Sequence, residues 1–330
     1  MMDTSNSRIT MEPDTASIPD SRVHVIFGTG LLGMAVQRAL TADGRAVRMI
    51  NRSGKGPAIA GVEFLGVDTL DSEAMDRACA GASVVYQCAS PPYHRWDELF
   101  PPLQGVILEA AARAGATLVI AENMYMYGDT DGRPLTEDTP MTATTRKGRT
   151  RVMMTEAALD AHREGEVRVA IGRGSDFFGP GVLRSAMGER VFPRALGGQA
   201  ASLLGDIDLP HTYTFIDDFG KALVTLGDRE EALGRVWHVP NAATVTTREF
   251  VTMVYEEIGA PPRMTAAGRT LLRLFGVFSA GAREMVEMMY EFEKPFIVDS
   301  GAFERAFGAR ATPLRDAIRS TVAWYREMRG

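Results

Sequence analysis

The chain has 330 residues, enough to bury a sizeable core in one large or two smaller domains, and its 45% hydrophobic and 24% charged content is ordinary for a soluble globular protein. A formal charge of −6 and a pI near 5.5 argue against a nucleic-acid footprint, no apolar run is long enough to span a membrane, and the first twenty residues lack a basic-then-apolar leader, so a cytoplasmic location is expected. Cys79 and Cys88 are the only cysteines and have no metal-ligand spacing, which excludes a disulfide framework and a zinc site of the usual kind.

Residues 1–20, rich in Ser, Thr, Asp and Pro, read as a disordered leader. The strand-forming run Val23-His24-Val25-Ile26-Phe27 then feeds Gly28-Thr29-Gly30-Leu31-Leu32-Gly33 and a helical pattern over 31–40. Strand, glycine turn and helix in that order suit a dinucleotide. Gly28 permits the tight turn, Gly30 lets backbone N–H groups approach a pyrophosphate, and Gly33 lets helix and strand pack closely. A second strand over 46–50 ends at Asn51-Arg52-Ser53, where such folds inspect the adenosine ribose. An acidic residue there would bond the 2′-hydroxyl of NAD, whereas Arg52 can accept the phosphate of NADP; Asn51 and Arg52 favour NADP, with NAD as the alternative. A third strand over 63–68 leaves Asp68 placed for adenine or for an ordinary turn.

The fourth strand, 83–90, ends in Cys88, Ala89 and Ser90, small enough for a cofactor to lie against the backbone. A polar and aromatic loop follows, with Tyr93 and His94 at the carboxyl edge of the sheet, where ligands of open α/β sheets bind. His94 faces substrate there, or is a plain surface histidine. A helix over 100–115 leads to a strand over 117–121 and then to Asn123, Tyr125, Tyr127 and Gly128. In an extended segment two tyrosines two apart cannot both face the core, which leaves at least one for a ligand or a hydrogen bond. A loop over 129–143 precedes a helix over 144–162 that carries Lys147 and Arg151 on one face.

A sixth strand over 168–172 ends at Arg173, with Asp176 just beyond. Strand and helix alternate up to this point, which predicts a parallel sheet with helices on both faces and right-handed crossovers. The expected organisation is a dinucleotide-binding domain over 21–180 and a smaller α/β substrate-binding domain over 181–330, from which 211–240 returns to the sheet. Helices are predicted over 217–226, 248–258, 266–291 and 313–328, and a short strand over 236–239. Met285, Met288 and Met289 read as core filler.

The glycine turn, the strand running into Tyr127-Gly128, Arg173 with Phe178-Gly179-Pro180, and the stretch His211-Thr212-Tyr213-Thr214-Phe215-Ile216-Asp217-Asp218-Phe219 together resemble the short-chain dehydrogenase/reductase superfamily. The similarity is to its extended, epimerase/dehydratase-like branch and runs from Val23 to near the end of the chain. It implies a Rossmann-type doubly wound sheet, an NAD(P) cofactor, a small-molecule substrate, and by analogy with many relatives a homodimer. It also implies a hydroxyl residue, a tyrosine and a lysine four residues after the tyrosine for proton transfer. Those positions fall on Asn123, Lys147 and Arg151, so all three are replaced. The Lys-x-x-x-Arg pattern resembles isoflavone-reductase-like members, where a lysine takes the tyrosine's role. Asn123 can still donate to a carbonyl oxygen. A nearby Arg151 would ease deprotonation of Lys147 and could itself bind ribose or phosphate.

Three readings follow. The first is an NADP-dependent oxidoreductase of the atypical class that reduces a carbonyl or activated double bond, with Lys147, Tyr125 or Tyr127 supplying the proton and Tyr93, His94, Arg173, Asp176 and His211 facing substrate. The second is a nucleotide-sugar epimerase or dehydratase, against which Asp176 would set a carboxylate beside the diphosphate. The third is a cofactor-binding sensor or scaffold without catalysis.

Overall fold

The computed structural model describes residues 23–276 and 284–329; the expected leader lies outside them. Seven parallel strands form one sheet: β1 (Val23–Phe27), β2 (Val47–Asn51), β3 (Val62–Gly66), β4 (Ala82–Gln87), β5 (Thr117–Glu122), β6 (Arg168–Arg173) and a late arrival, β11 (Val236–His238). Their spatial order is β11-β6-β5-β4-β1-β2-β3, so the chain winds outward from β1 first one way and then the other. The result is the doubly wound fold that the alternation predicts, with a crevice at the reversal between β1 and β4.

Helices cover both faces, which is why the central strands are apolar on both sides. Val25, Phe27, Leu118, Ile120 and Val169 join a core layer with Ile107, Ala110 and Ala111 of α3 (Trp96–Arg113) and Ala158 and Ala161 of α4 (Arg146–Arg163). The alternate residues Ile26, Val119 and Ala170 pack against Val36 and Leu40 of α1 (Leu31–Ala42) and Phe219 and Leu223 of α6 (Ile216–Asp228). A shorter helix, α2 (Ser72–Cys79), starts at Asp71, whose carboxylate accepts from the Ala74 N–H.

After β6 come the short strand β7 (Asp176–Phe178), the helix α5 (Phe192–Leu196) and the strands β8 (Ala201–Leu204), β9 (Pro210–His211) and β10 (Tyr213–Phe215). Beyond β11 follow β12 (Val245–Thr246), α7 (Thr247–Ile258) and β13 (Met264–Ala267). β7 pairs with β10, β9 with β12, and β8 with β13. A separate core of Phe178, Phe192, Tyr213, Phe250, Ile318 and Tyr325 joins α5 and α7 to the terminal helix Leu314–Glu327.

Two expectations need correction. The helix predicted over 100–115 begins at Trp96, because Pro101 and Pro102 sit inside it rather than opening it. The single helix predicted over 266–291 is a strand, Met264–Ala267, then a helix, Arg269–Gly276, with a turn before the short helix Tyr290–Glu293. Its central part, 277–283, lies outside the described residues. Among the described residues no helix is long and apolar enough to cross a membrane.

Candidate functional site

The cradle for a dinucleotide is built by β1, α1 and the end of β4. Gly28 has φ of 104°, and a Cβ on it would stand 2.7 Å from the backbone of Ala89. A Cβ on Gly33 would stand 1.9 Å from the Gly28 carbonyl oxygen, so only glycine lets the helix sit this close to the turn. Gly30 meets nothing within 4 Å, which leaves open space at the start of α1. That helix has no acidic residue in its first turn and no side chain capping its N-terminus, so its free N–H groups and positive dipole end face the opening. Leu31 and Leu32 anchor the turn against Ala35, Val182 and Ile216. Cys88 and Ala89 are half-buried and Ser90 is exposed, with burial pushing the Cys88 thiol up to about 12. These residues fit a pyrophosphate lying across the turn.

At the end of β2, Asn51 is spent on the loop. Its Oδ1 accepts from the N–H groups of Ser53 (2.9 Å) and Gly54 (2.7 Å), and its amide donates to the Lys55 carbonyl (2.8 Å) and the Thr29 hydroxyl (3.3 Å). Arg52 is exposed beside this loop. Asp68 caps a turn by accepting from the Leu70 N–H at 3.0 Å.

Thr145 caps α4 by accepting from the Gly148 N–H, and the helix then turns Lys147 and Arg151 inward, both buried. The Lys147 ammonium lies 4.4 Å over the Tyr93 ring and donates to Glu284 and, at 2.9 Å, to Glu287. Glu287 also accepts from the Lys147 backbone N–H at 2.8 Å. Arg151 was expected to act on Lys147 as a neighbouring positive charge; the groups that the Lys147 ammonium bonds are carboxylates. The Arg151 guanidinium stacks 4.2 Å from the Phe100 ring and 4.8 Å from that of Trp96. Among the described residues its Nε and Nη1 have no hydrogen-bond partner, and burial lowers it to about 10.

Tyr125 stands beside this pair, bonded to Tyr93 and packed on Trp96. The segment Tyr125–Tyr127 is a single 3₁₀ turn and not an extended strand, and Asn123 shapes it by accepting from the Tyr125 N–H at 3.3 Å. The Tyr93 hydroxyl donates to that of Tyr125 at 3.1 Å, and burial pushes both phenols upward.

Tyr127 goes elsewhere. Its hydroxyl meets His238 Nε2 at 2.7 Å while His238 Nδ1 reaches the Asp299 carbonyl at 2.9 Å, so Tyr127 donates inward and does not face the cleft. Arg173 is also a packing residue: 1% exposed, it donates to Glu122 (2.9 Å) and Thr155 (3.2 Å) and lies 4.8 Å over the Tyr127 ring. His94 is exposed on the turn after Pro92, where its carbonyl accepts from Arg146. These geometries do not match the expected proton-donor role of Tyr127 or the substrate roles of Arg173 and His94.

Asp176 and His211, separately expected to face substrate, are brought together at 3.0 Å. The His211 ring stacks on Tyr213 (4.6 Å) and Phe292 (5.3 Å). Sequence reasoning missed Glu284, Glu287 and Glu291, which no motif marks and which lie more than a hundred residues along the chain from Lys147 and Asp176.

A family model described as "NAD dependent epimerase/dehydratase family" matches residues 24–239. A dTDP-glucose 4,6-dehydratase of Streptomyces griseus is 26% identical over 225 residues, which is 68% of this chain and 63% of that protein, so the match spans less than two thirds of the relative. Among solved structures, MoeE5 in complex with UDP-glucose and NAD superposes with a TM-score of 0.75 at 20% identity, over 94% of this chain and 100% of that one. The dTDP-glucose 4,6-dehydratase DesIV of Streptomyces venezuelae, a double mutant with NAD bound, gives 0.73 at 21% identity, over 94% and 98%. At these identities the structural likeness concerns the fold.

Proposed function

The chain belongs to the NAD dependent epimerase/dehydratase family, and we propose that it binds NADP in preference to NAD and performs oxidoreductive chemistry at a hydroxyl- or carbonyl-bearing carbon of a small organic substrate. The observation that carries this is Lys147 and Arg151, buried one helical turn apart beside the paired hydroxyls of Tyr93 and Tyr125. The nicotinamide, when bound, supplies or accepts hydride. Gly28, Gly30 and Gly33 hold the pyrophosphate and Arg52 the 2′-phosphate. Arg151 takes ribose through Nε and Nη1, which have no hydrogen-bond partner among the described residues. Asn123 orients the substrate oxygen, and Lys147 Nζ passes it a proton, with Tyr125 as the alternative donor.

A second reading narrows the substrate to a nucleotide sugar with the cofactor recycled in place. It is favoured by the similarity to a dTDP-glucose 4,6-dehydratase.

Both are tested by following NADPH and NADH consumption with aldehydes, ketones and enones, and by following UDP-glucose and dTDP-glucose turnover by NMR. Lys147→Ala and Tyr125→Phe are expected to lower kcat about 100-fold and 10-fold. Unchanged turnover in both removes the assignment. Arg52→Ala is expected to weaken NADP binding about tenfold and leave NAD binding intact.

A further inference from the structure

We propose that Glu287 is a proton-relay residue acting through Lys147, and that it returns from solvent each proton that Lys147 gives to a substrate oxygen. This deepens the oxidoreductive reading above and rests on it.

The Lys147 side chain is 1% exposed, and its ammonium is covered on one side by the Tyr93 ring at 4.4 Å. Glu284 and Glu287, which accept from that ammonium, keep 19% and 20% of their side chains exposed. Solvent therefore reaches Nζ by way of a carboxylate.

The two carboxylates are not equivalent. Glu284 uses one oxygen, Oε2, for both the Lys147 ammonium and the Arg146 guanidinium, the latter at 2.8 Å. A proton on that oxygen would face the Arg146 N–H and break the bond. Glu287 divides its contacts: Oε1 accepts from the Lys147 backbone N–H at 2.8 Å, and Oε2 accepts from Nζ at 2.9 Å. That backbone N–H lies in the first turn of α4, where no helical carbonyl serves it, so the carboxyl is held with Oε2 aimed at Nζ. With a proton on Oε2, Oε1 still accepts from the backbone while Oε2 donates to a neutral amine. Both hydrogen bonds are thus present before and after the transfer.

The proton count closes over a cycle. When a substrate oxygen takes a proton from Nζ, an N–H bond breaks, an O–H bond forms and Lys147 is left as the neutral amine. Glu287 then takes up a proton from solvent at its exposed edge and passes it from Oε2 to Nζ, which restores carboxylate and ammonium. In the oxidative direction the same atoms carry the proton outward.

The experiment uses the full chain labelled with 15N-lysine. Its lysines are Lys55, Lys147, Lys221 and Lys294, so the Lys147 Nζ signal is identified by its loss in Lys147→Ala. Exchange of its protons with water is measured by magnetisation transfer, which needs neither substrate nor cofactor. In Glu287→Gln the exchange is expected to slow about tenfold or more, and in Glu284→Gln about threefold or less. The other lysine signals show whether each variant is folded. If Glu287→Gln does not fold, Glu287→Asp takes its place; it keeps the acid but shortens its reach, and should slow exchange about threefold or more. Exchange unchanged in the Glu287 variant, or slowed as much in Glu284→Gln, overturns the proposal. A second arm follows NADPH absorbance after rapid mixing with aldehydes, ketones and enones. For any that are reduced, Glu287→Gln should complete one fast turnover per site and then run about tenfold slower, because Lys147 starts with a proton to give; Glu284→Gln should show no such break. Reduction without the exchange contrast, or without the break, sinks the relay alone. The exchange contrast with no reduction of any carbonyl supports the proton path and counts against the oxidoreductive reading.

Discussion

His238 ties the strand that closes the sheet to the turn bearing Tyr127. It is fully buried, bonded at Nε2 to Tyr127 and at Nδ1 to the Asp299 carbonyl, and burial holds it down at about 4 against an ordinary 6.5. The unfolded chain therefore takes up a proton below pH 6.5 that the native chain refuses until about pH 4. Stability is expected to be intact above pH 6.5, to fall as the pH drops through this window by about 3 kcal/mol from this group, and to level off below it. Urea midpoints between pH 7 and 4 check this: His238→Gln should show a shallower decline, and an identical decline would refute the assignment. Residues of this kind were only half legible. The sequence marked Tyr127 but could not say which way its hydroxyl points, because its partner lies 111 residues further on. Lys147 and Arg151 were found by their spacing on one helix. The carboxylates that hold Lys147 were not, since no local pattern links residues 137 and 140 apart.

At the scale of elements, the cofactor cradle depends on how closely α6 lies on α1. A Cβ added at Gly220 of α6 would stand 2.6 Å from the Ala35 backbone carbon of α1, so neither helix can yield without moving the other. Gly220→Ala is expected to cost about 1–3 kcal/mol and, by shifting α1, to weaken dinucleotide binding. Gly105, in the exposed face of α3, meets nothing within 4 Å, and Gly105→Ala should stabilise by up to about 1 kcal/mol through helix propensity alone. Denaturant midpoints of the two variants should move in opposite directions; movement in the same direction would deny that close helix contact is the cause. The same contrast explains what could be read beforehand. β1 to β6 are five- or six-residue stretches rich in apolar residues and bounded by turns, and α1, α4, α6 and α7 carry a helical period or caps. β7, β9, β10 and β12 have two or three residues each and are set by tertiary pairing, which leaves too short a stretch for any periodicity.

For the whole molecule, the parallel, doubly wound character of the sheet followed from the alternation of strands and helices, but its strand order and the closure of the cleft did not. Lys147 comes from a helix flanking the sheet, and Glu284 and Glu287 come from the far C-terminal part of the chain. Lys147 is 1% exposed in its side chain, while the two glutamates retain 19% and 20%. A buried cation between two half-buried anions is costly to leave unpaired from either side, so the two segments should be coupled through it. A double-mutant cycle with Lys147→Met and Glu287→Gln measures this. Each single change is expected to destabilise the fold, the lysine change more because it leaves two carboxylates facing each other. The double variant should recover about 1–3 kcal/mol relative to the sum. Additivity within about 0.5 kcal/mol would mean that the ion pair contributes nothing to holding the C-terminal segment over the site. If the coupling is found, the ion pair that holds Lys147 also ties the segment carrying Glu284 and Glu287 to α4.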